Sequence, residues 1–205
     1  MYFMKRSKRI SLPTIRLFGR MMRRTSAMII LILCIPLIVC ICGLVKLTSR
    51  GPILHAQMRV GRHMKPFRLY KFRSMRVESG DTIQLTMPED RRITNIGRLL
   101  RRHRLDEIPQ LWNIVRGEMG WFGPRPEQAY YVERIVARSQ SFQSLYRALP
   151  GLISLGVVQC GYTEHVDEMI RRAKYDKYYL QHPSWGLNVY LLFRAIGIVI
   201  KGKGR

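Results

Sequence analysis

Acidic residues are scarce in this chain: its 205 residues hold 13 Asp and Glu against 36 Lys and Arg, a formal charge of +23. Such an excess calls for a polyanionic partner, whether nucleic acid, the anionic face of a bilayer or phosphorylated small molecules, and does not by itself choose among them. Cysteine is also sparse. Cys34, Cys40 and Cys42 sit in an apolar run and Cys160 stands alone. That excludes an even, exposed disulfide framework and favours a reducing compartment. The histidines are scattered, and the absence of a His and Cys cluster removes the usual zinc patterns. No recognised nucleic-acid module is present and the aromatics form no evident stacking set, so no nucleic acid is expected as partner.

What the chain does have is one long uncharged run, Ala27 to Val45. It is preceded by a basic leader with Lys5, Arg6, Lys8, Arg9, Arg16, Arg20, Arg23 and Arg24, whose apolar residues Ile10, Leu12, Ile15, Leu17 and Phe18 suit a membrane interface. The run matches a hydrocarbon core of about 30 Å. It is too long for a secretory signal, and no small-residue cleavage site follows. Lys46, Arg50, Arg59 and Arg62 make the far flank basic too, against the positive-inside tendency of a spanning helix. Pro36, near the middle, removes a backbone donor and leaves the Ile32 carbonyl without its helical partner. A helix that enters one leaflet, breaks at Pro36 and returns to the same face satisfies both observations. An ordinary spanning helix with a proline kink remains the alternative. The expected division is therefore 1–50, a basic leader and membrane-embedded helix, and 51–205, a domain at the membrane face.

Gly51-Pro52 marks a turn, and Gln57 to Met75 is basic and partly alternating. Phe67 and Leu69 keep one phase while Tyr70 and Phe72 keep the other, so a strand or hairpin with a bulge is predicted. Its cations read either as a solvated, charge-protected edge or as a surface for phosphate or lipid. Glu78 to Asp90, with Gly80 and Pro88, reads as a surface loop, and its Glu89-Asp90 pair as solvated surface or a helix cap. From Ile93 onward, Ile96, Leu99, Leu100 and His103 recur at helical spacing.

That predicted helix runs into the stretch around which the chain is organised, LDEIPQLWNIVRGEMGWFGPRP from Leu105 to Pro126. Asp106 and Glu107 are adjacent carboxylates, with Arg98, Arg101, Arg102 and Arg104 just upstream and a stiff Pro124-Arg125-Pro126 turn downstream. Leu111, Trp112 and Val115 have helical spacing and Pro109 is tolerated in a first turn, which puts Asp106 at an N-cap. Capping alone would stabilise by about 1 kcal/mol and needs nothing more. The same surroundings favour ionised carboxylates. An ionised Asp can attack phosphorus while a neighbouring Glu holds Mg²⁺, with guanidinium groups gripping phosphate.

This stretch, preceded by YKFRSM (Tyr70 to Met75) and followed by Pro150-Gly151, resembles the bacterial sugar transferases, the monotopic phosphoglycosyl transferases that prime surface-polysaccharide and glycoconjugate assembly. The resemblance covers nearly the whole chain. It implies an α+β, mostly helical, membrane-associated domain with a small β element and a re-entrant helix broken at Pro36. It further implies transfer of a sugar 1-phosphate from a nucleotide diphosphate sugar, commonly a UDP-sugar, to polyprenol phosphate in the cytoplasmic leaflet of the bacterial inner membrane. Asp106 would be the nucleophile, forming a phosphoglycosyl-aspartate and releasing a nucleoside monophosphate. Glu107, with Asp106, would bind Mg²⁺, and Arg125 would bind substrate phosphate. Gly120 stands where the family often has Ser, and Ile108 where it often has Leu. The stretch LISLGVVQCGYT after Gly151 is longer than the commonest form, so donor-sugar contacts there are not carried over. Lacking a large N-terminal membrane bundle, the chain is expected to be the minimal form.

Towards the C-terminus, Val166 to Leu180 is predicted helical with Tyr175, Tyr178 and Tyr179, ending at His182-Pro183. Trp185 to Ile200 is apolar but interrupted by Asn188 and Arg194, which fits a helix buried in the domain or lying in the interface. Lys201 to Arg205 reads as a frayed basic tail drawn to anionic lipid. Besides the transferase, two readings stay open: a basic membrane-surface or nucleic-acid-binding protein in which the acid pair only caps a helix, and a phosphohydrolase using water as acceptor.

Overall fold

The computed structural model describes residues 12–76, 90–161 and 165–204, with side chains from residue 17 onward. The basic leader up to residue 11 and most of the predicted loop, with Glu78, Asp81 and Glu89, lie outside the described residues.

The apolar run forms two helices, α1 (Leu12–Leu33) and α2 (Ile35–Thr48), rather than one. Neither alone is long and apolar enough to cross a membrane, but Leu17–Leu33 and Ile35–Thr48 are so together, bent by 61°. Pro36 is in the first turn of α2, and the break falls two residues before it, at Cys34. A proline ring displaces the carbonyl four residues back and offers it no N–H, so the strain falls on the turn before the ring. Each arm also has a face against the rest of the protein. Ala27 and Leu31 of α1 pack with Leu111, Ile114 and Met119, while Ile41 and Val45 of α2 pack with Phe72 and Leu100. Their other faces expose Ile29, Ile32, Leu33, Ile35, Val39 and Leu47.

The expected hairpin follows, as β1 (Leu54–Val60) antiparallel to β2 (Pro66–Phe72). Its register is unbroken from Leu54↔Phe72 to Val60↔Pro66, so there is no bulge. The change of apolar phase has another cause: Phe67 and Leu69 face one cluster, and Phe72 faces the α2 arm on the other side. A strand end covered on both faces loses its alternation without losing its register.

Next comes α3 (Asn95–Arg102), capped by Thr94, whose Oγ1 accepts from the Gly97 N–H at 2.9 Å. Gly97 is required by close approach: a Cβ there would overlap the Ser74 carbonyl. After a short 3₁₀ turn at Leu105–Glu107, α4 (Gln110–Arg116) ends at Gly117, whose left-handed conformation satisfies the Asn113 and Ile114 carbonyls. A short parallel pair then joins β3 (Gly120–Phe122) to β4 (Gly151–Ile153). Between them lie α5 (Ala129–Arg138) and a 3₁₀ segment, Gln140–Arg147, which bury Tyr131, Val132, Ile135, Phe142 and Leu145 in a core shared with Met169 and Ala173.

Three helices complete the chain: α6 (Leu155–Cys160), α7 (Val166–Gln181) and α8 (Trp185–Lys201). The structure is thus α+β and mostly helical with a small β element. The tail corrects its expectation of fraying as far as Gly204. Gly202 caps α8 in the left-handed region, Lys203 N–H donates to the Ile198 carbonyl at 3.0 Å, and Gly204 N–H donates to the Arg102 carbonyl at 2.8 Å. Backbone donors paired in this way hold the tail to the end of α3.

Candidate active site

Asp106 and Glu107 are placed by a reversal of the chain. At the end of α3, Arg104 takes the left-handed conformation (φ 53, ψ 21), an arrangement costing a non-glycine residue about 1–2 kcal/mol. It turns the next residues inward as the 3₁₀ turn, which Glu107 N–H closes on the Arg104 carbonyl at 3.2 Å. Both carboxylates are buried. The expected N-cap role is corrected here: α4 starts at Gln110, its N-cap is Pro109, and no side chain caps it. Pro109 separates the acid turn from the helix.

Hairpin and acid turn are registered against each other through Asn113 of α4, which is fully buried. Its Oδ1 accepts from Tyr70 N–H at 3.2 Å, and its Nδ2 donates to the Arg68 carbonyl and to Glu118 Oε2, both at 2.7 Å. Fixing β2 at Tyr70 sets the position of Lys71, whose Nζ lies 3.1 Å from Glu107 Oε1. Arg125 Nη1 approaches the same oxygen at 3.6 Å.

The Pro-Arg-Pro turn is held from two sides. Asp176 of α7 accepts from the Arg125 N–H at 3.2 Å, from Gly156 N–H at 2.9 Å and from the Ser154 hydroxyl at 2.8 Å. The next residue after the turn, Glu127, is buried between Arg59 of β1, at 3.2 Å, and Arg172 of α7. A carboxylate engaged by two guanidinium groups is a rigid post, and here it ties the hairpin and α7 to the loop that presents Arg125.

Electrostatics separates the two acids. Burial raises the pKa of Glu107, but Lys71, Arg125 and Arg104 outweigh it and hold the group well below the usual carboxylate range. Asp106 goes the other way. Burial pushes it up, and the negative charge of Glu107 adds to that against the opposing pull of Lys71, Arg101 and Arg125. The expectation that both carboxylates are driven towards ionisation therefore holds for Glu107 and is corrected for Asp106. Burial lowers the Lys71 pKa, which Glu107 and Asp106 counter, and the ammonium keeps 21% of its side chain exposed. Among the described residues Asp106 makes no ion pair, whereas Glu107 pairs with Lys71 and Arg125.

Of the cations singled out in the sequence, Arg125 and Arg101 are brought to the acids. Arg101 acts on Asp106 and donates its Nε to the Ser74 hydroxyl at 2.8 Å. Arg102 turns away, its Nε donating to the Gly202 carbonyl at 3.3 Å, where it holds the C-terminal end of α8. Residues 101 and 102 point apart because neighbours on a helix lie about 100° apart around its axis. Sequence reasoning missed Lys71, Asn113, Arg172 and Asp176. Lys71 carried a usable signal, since it keeps the inward phase of Phe67 and Leu69. Asp176 carried a weaker one, an acid between Ala173 and Tyr179 on the buried side of α7.

A Mg²⁺ ion fits this donor set. The ion usually takes one or two protein carboxylates and completes its shell with water and substrate phosphate oxygens. Among the described residues Asp106 supplies a carboxylate outside any ion pair, and the adjacent Glu107 supplies an ionised one.

The sequence matches the family model described as bacterial sugar transferase over residues 14–202. It is 33% identical over 193 residues to a UDP-N-acetylgalactosamine-undecaprenyl-phosphate N-acetylgalactosaminephosphotransferase of Aeromonas hydrophila, covering 94% of this chain and 46% of the relative. It is 36% identical over 169 residues to a UDP-glucose:undecaprenyl-phosphate glucose-1-phosphate transferase of Caulobacter vibrioides, covering 81% of this chain and 61% of the relative. A Klebsiella pneumoniae protein of that second name is 34% identical over 171 residues, 82% of this chain and 37% of the relative. The chain thus spans under half the length of the Aeromonas and Klebsiella relatives. Acid turn, hairpin, Pro-Arg-Pro turn and the α7 post all fall inside the matched region, and the chain belongs to the bacterial sugar transferase family.

Proposed function

We propose that the protein is a membrane-bound phosphoglycosyl transferase that moves a sugar 1-phosphate from a nucleotide diphosphate sugar to polyprenol phosphate. One observation carries the reading: of two adjacent buried carboxylates, Glu107 is locked by Lys71 and Arg125 while Asp106, among the described residues, stays outside any ion pair. A partly desolvated carboxylate outside direct ion pairs is a stronger nucleophile than one neutralised by them. The names of the relatives supply the substrate class, undecaprenyl phosphate and a UDP-sugar, and the proposal extends this to the priming of a polysaccharide or other glycan.

In the proposed first step an Asp106 oxygen attacks the sugar-bearing phosphorus. The bond from that phosphorus to the bridging oxygen breaks, and the nucleoside monophosphate leaves with the electron pair. In the second step an oxygen of polyprenol phosphate attacks the same phosphorus and the Asp106 carboxylate departs, giving polyprenyl-diphosphate-sugar. Arg125 and Arg101 offset the charge of the transferring phosphates. Lys71 keeps Glu107 ionised and in place. A bound Mg²⁺, held by Glu107 and Asp106, would offset charge on the donor's diphosphate and on the departing nucleoside monophosphate.

The bent pair α1–α2 enters this proposal as a re-entrant element, with both ends and the catalytic domain on the cytoplasmic face. Its support is the 61° bend at Cys34, the exposed apolar faces and the burial of both arms against one domain.

The test is nucleoside monophosphate release with Mg²⁺, a panel of UDP-sugars, and polyprenol phosphate present or omitted. Release should require the lipid and fall at least about 10³-fold in Asp106→Asn. Because burial penalises the charged form of Asp106, the variant should melt no lower than wild type. Release without lipid would instead mark a hydrolase. A fully active Asp106→Asn would overturn the nucleophile.

A further inference from the structure

The carbonyl ends of α3 and α8 meet beside the acid turn, and each receives donors from the other. The last carbonyls of an α-helix have no intrahelical partner. At the end of α3 the Arg102 carbonyl accepts from Gly204 N–H at 2.8 Å. At the end of α8 the Val199 carbonyl lies 2.7 Å from His103 Nδ1, and because a carbonyl only accepts, that nitrogen carries the proton. Arg102 Nε adds a third bond, to the Gly202 carbonyl at 3.3 Å. The fit is close. A Cβ on Gly204 would overlap the Arg101 and Arg102 carbonyls, and one on Gly202 would press on the His103 ring and on Arg102.

This junction sits where the chain reverses. Arg104 follows His103 directly and holds the left-handed conformation at the place where a helix end usually has glycine. A residue in that conformation persists only where its surroundings over-determine it. Helix α3 has eight residues, too few to hold its last turn by its own hydrogen bonds. On the other side of the reversal, the Arg104 carbonyl accepts from Glu107 N–H and closes the turn that carries Asp106. A shift of Arg102 and His103 therefore reaches Asp106 within one 3₁₀ turn, and a misplacement of about 1 Å can cost about 10²-fold in rate.

We propose that His103 and Gly204 are positioning residues for the transfer. By tying the end of α8 and the segment after it to the last turn of α3, they hold Arg104 in its reversal and Asp106 at attacking distance. Both act through Arg104, and the role exists only if Asp106 is the nucleophile of the proposed reaction.

The experiment uses the full chain in phosphatidylcholine nanodiscs with Mg²⁺, polyprenol phosphate and the UDP-sugar that wild type uses best. It measures kcat and donor KM for nucleoside monophosphate release, and amide hydrogen exchange on the same samples. His103→Phe removes the donor and keeps a ring, Gly204→Ala forces the segment after α8 off the Arg102 carbonyl, and His103→Asn keeps a donor near the place of Nδ1. Ile135→Val, in the core that α5 shares with α7, controls for a modest loss of stability alone. The expected result is kcat at least about tenfold lower in His103→Phe and Gly204→Ala with KM within about twofold, because the groups that bind the donor are untouched. Glu107 N–H should exchange at least about tenfold faster in both. His103→Asn should recover most of the rate. Unchanged kcat in both variants of a wild type that transfers, an equal fall in Ile135→Val, or a loss carried by KM alone would overturn the positioning role and leave the transferase standing. So would unchanged exchange at Glu107, or His103→Asn no faster than His103→Phe. A fully active Asp106→Asn would remove the nucleophile and the positioning role together.

Discussion

At the scale of single residues, the chemistry depends on how two neighbouring carboxylates are made unlike. Glu107 and Asp106 share burial, yet one faces Lys71 and Arg125 and the other faces the charge of Glu107. In the proposed mechanism Asp106 attacks only when ionised, so activity should fall as pH drops through its pKa, and the acid limb of the pH–rate profile should lie above the ordinary carboxylate value. Stability runs the opposite way. A carboxyl with a raised folded-state pKa binds its proton more tightly folded than unfolded, so ionising it at higher pH costs stability. Lys71 pulls the Asp106 pKa down, and Lys71→Met should therefore move the acid limb to higher pH while lowering the rate at neutrality. Transfer rates measured from pH 5 to 9 check both effects, and an unmoved limb would remove Lys71 from the site. The uneven fate of Arg101 and Arg102 belongs to this scale too. Their neighbours in sequence are the same, and only the direction of each side chain separates a residue at the acids from one at the C-terminus.

At the scale of elements, the site is a junction whose parts are held by close contacts more than by surface charge. Asn113 joins α4 to β2, and Asp176 and Glu127 join α7 and β1 to the Pro-Arg-Pro loop. The Ser74 backbone meets α3 at Gly97 with no room for a methyl group. Gly97→Ala should separate α3 from the end of the hairpin and destabilise the fold by about 1–3 kcal/mol, an overpacking cost. Urea unfolding would measure it. An unchanged midpoint would show that the backbone yields there. The disulfide-free, basic surface says nothing about these contacts. They are made by buried residues whose partners lie tens of positions away.

For the whole molecule, the proposed topology predicts that both ends of the bent pair lie on one side of the bilayer. In a cysteine-free background, single cysteines placed at Ser7 and Ser139 should react with an impermeant thiol reagent from the same side only. Accessibility from opposite sides would sink the re-entrant arrangement and leave a kinked span. The apolar surface extends beyond that pair. Helix α8 buries Leu191 but exposes Phe193, Ile200 and Trp185, the last at 84%. Such a face suits the interface beside the bent pair. The expectation of a helix buried in the domain is met by one side of α8, which packs with Leu155, Val158 and Tyr179, and its exposed side is the one proposed for the interface.

Local order determined a good part of this protein. The proline in an uncharged run dictated a broken helix, because a missing N–H is a property of one residue. Thr94 before a helical pattern and Gly117 after one dictated where α3 starts and α4 stops, because caps act within a turn. The acid pair and the Pro-Arg-Pro turn were legible as a candidate site from residue type and order alone. Tertiary structure decided what distance in sequence hides. It set the inward register of Lys71 through Asn113, and the post at Asp176 behind Arg125. It removed Asp106 from the helix cap and turned Arg102 to the tail. Each of these depends on which groups share a small, poorly hydrated volume. Burial and charge act there through space, over distances that the order of residues does not record.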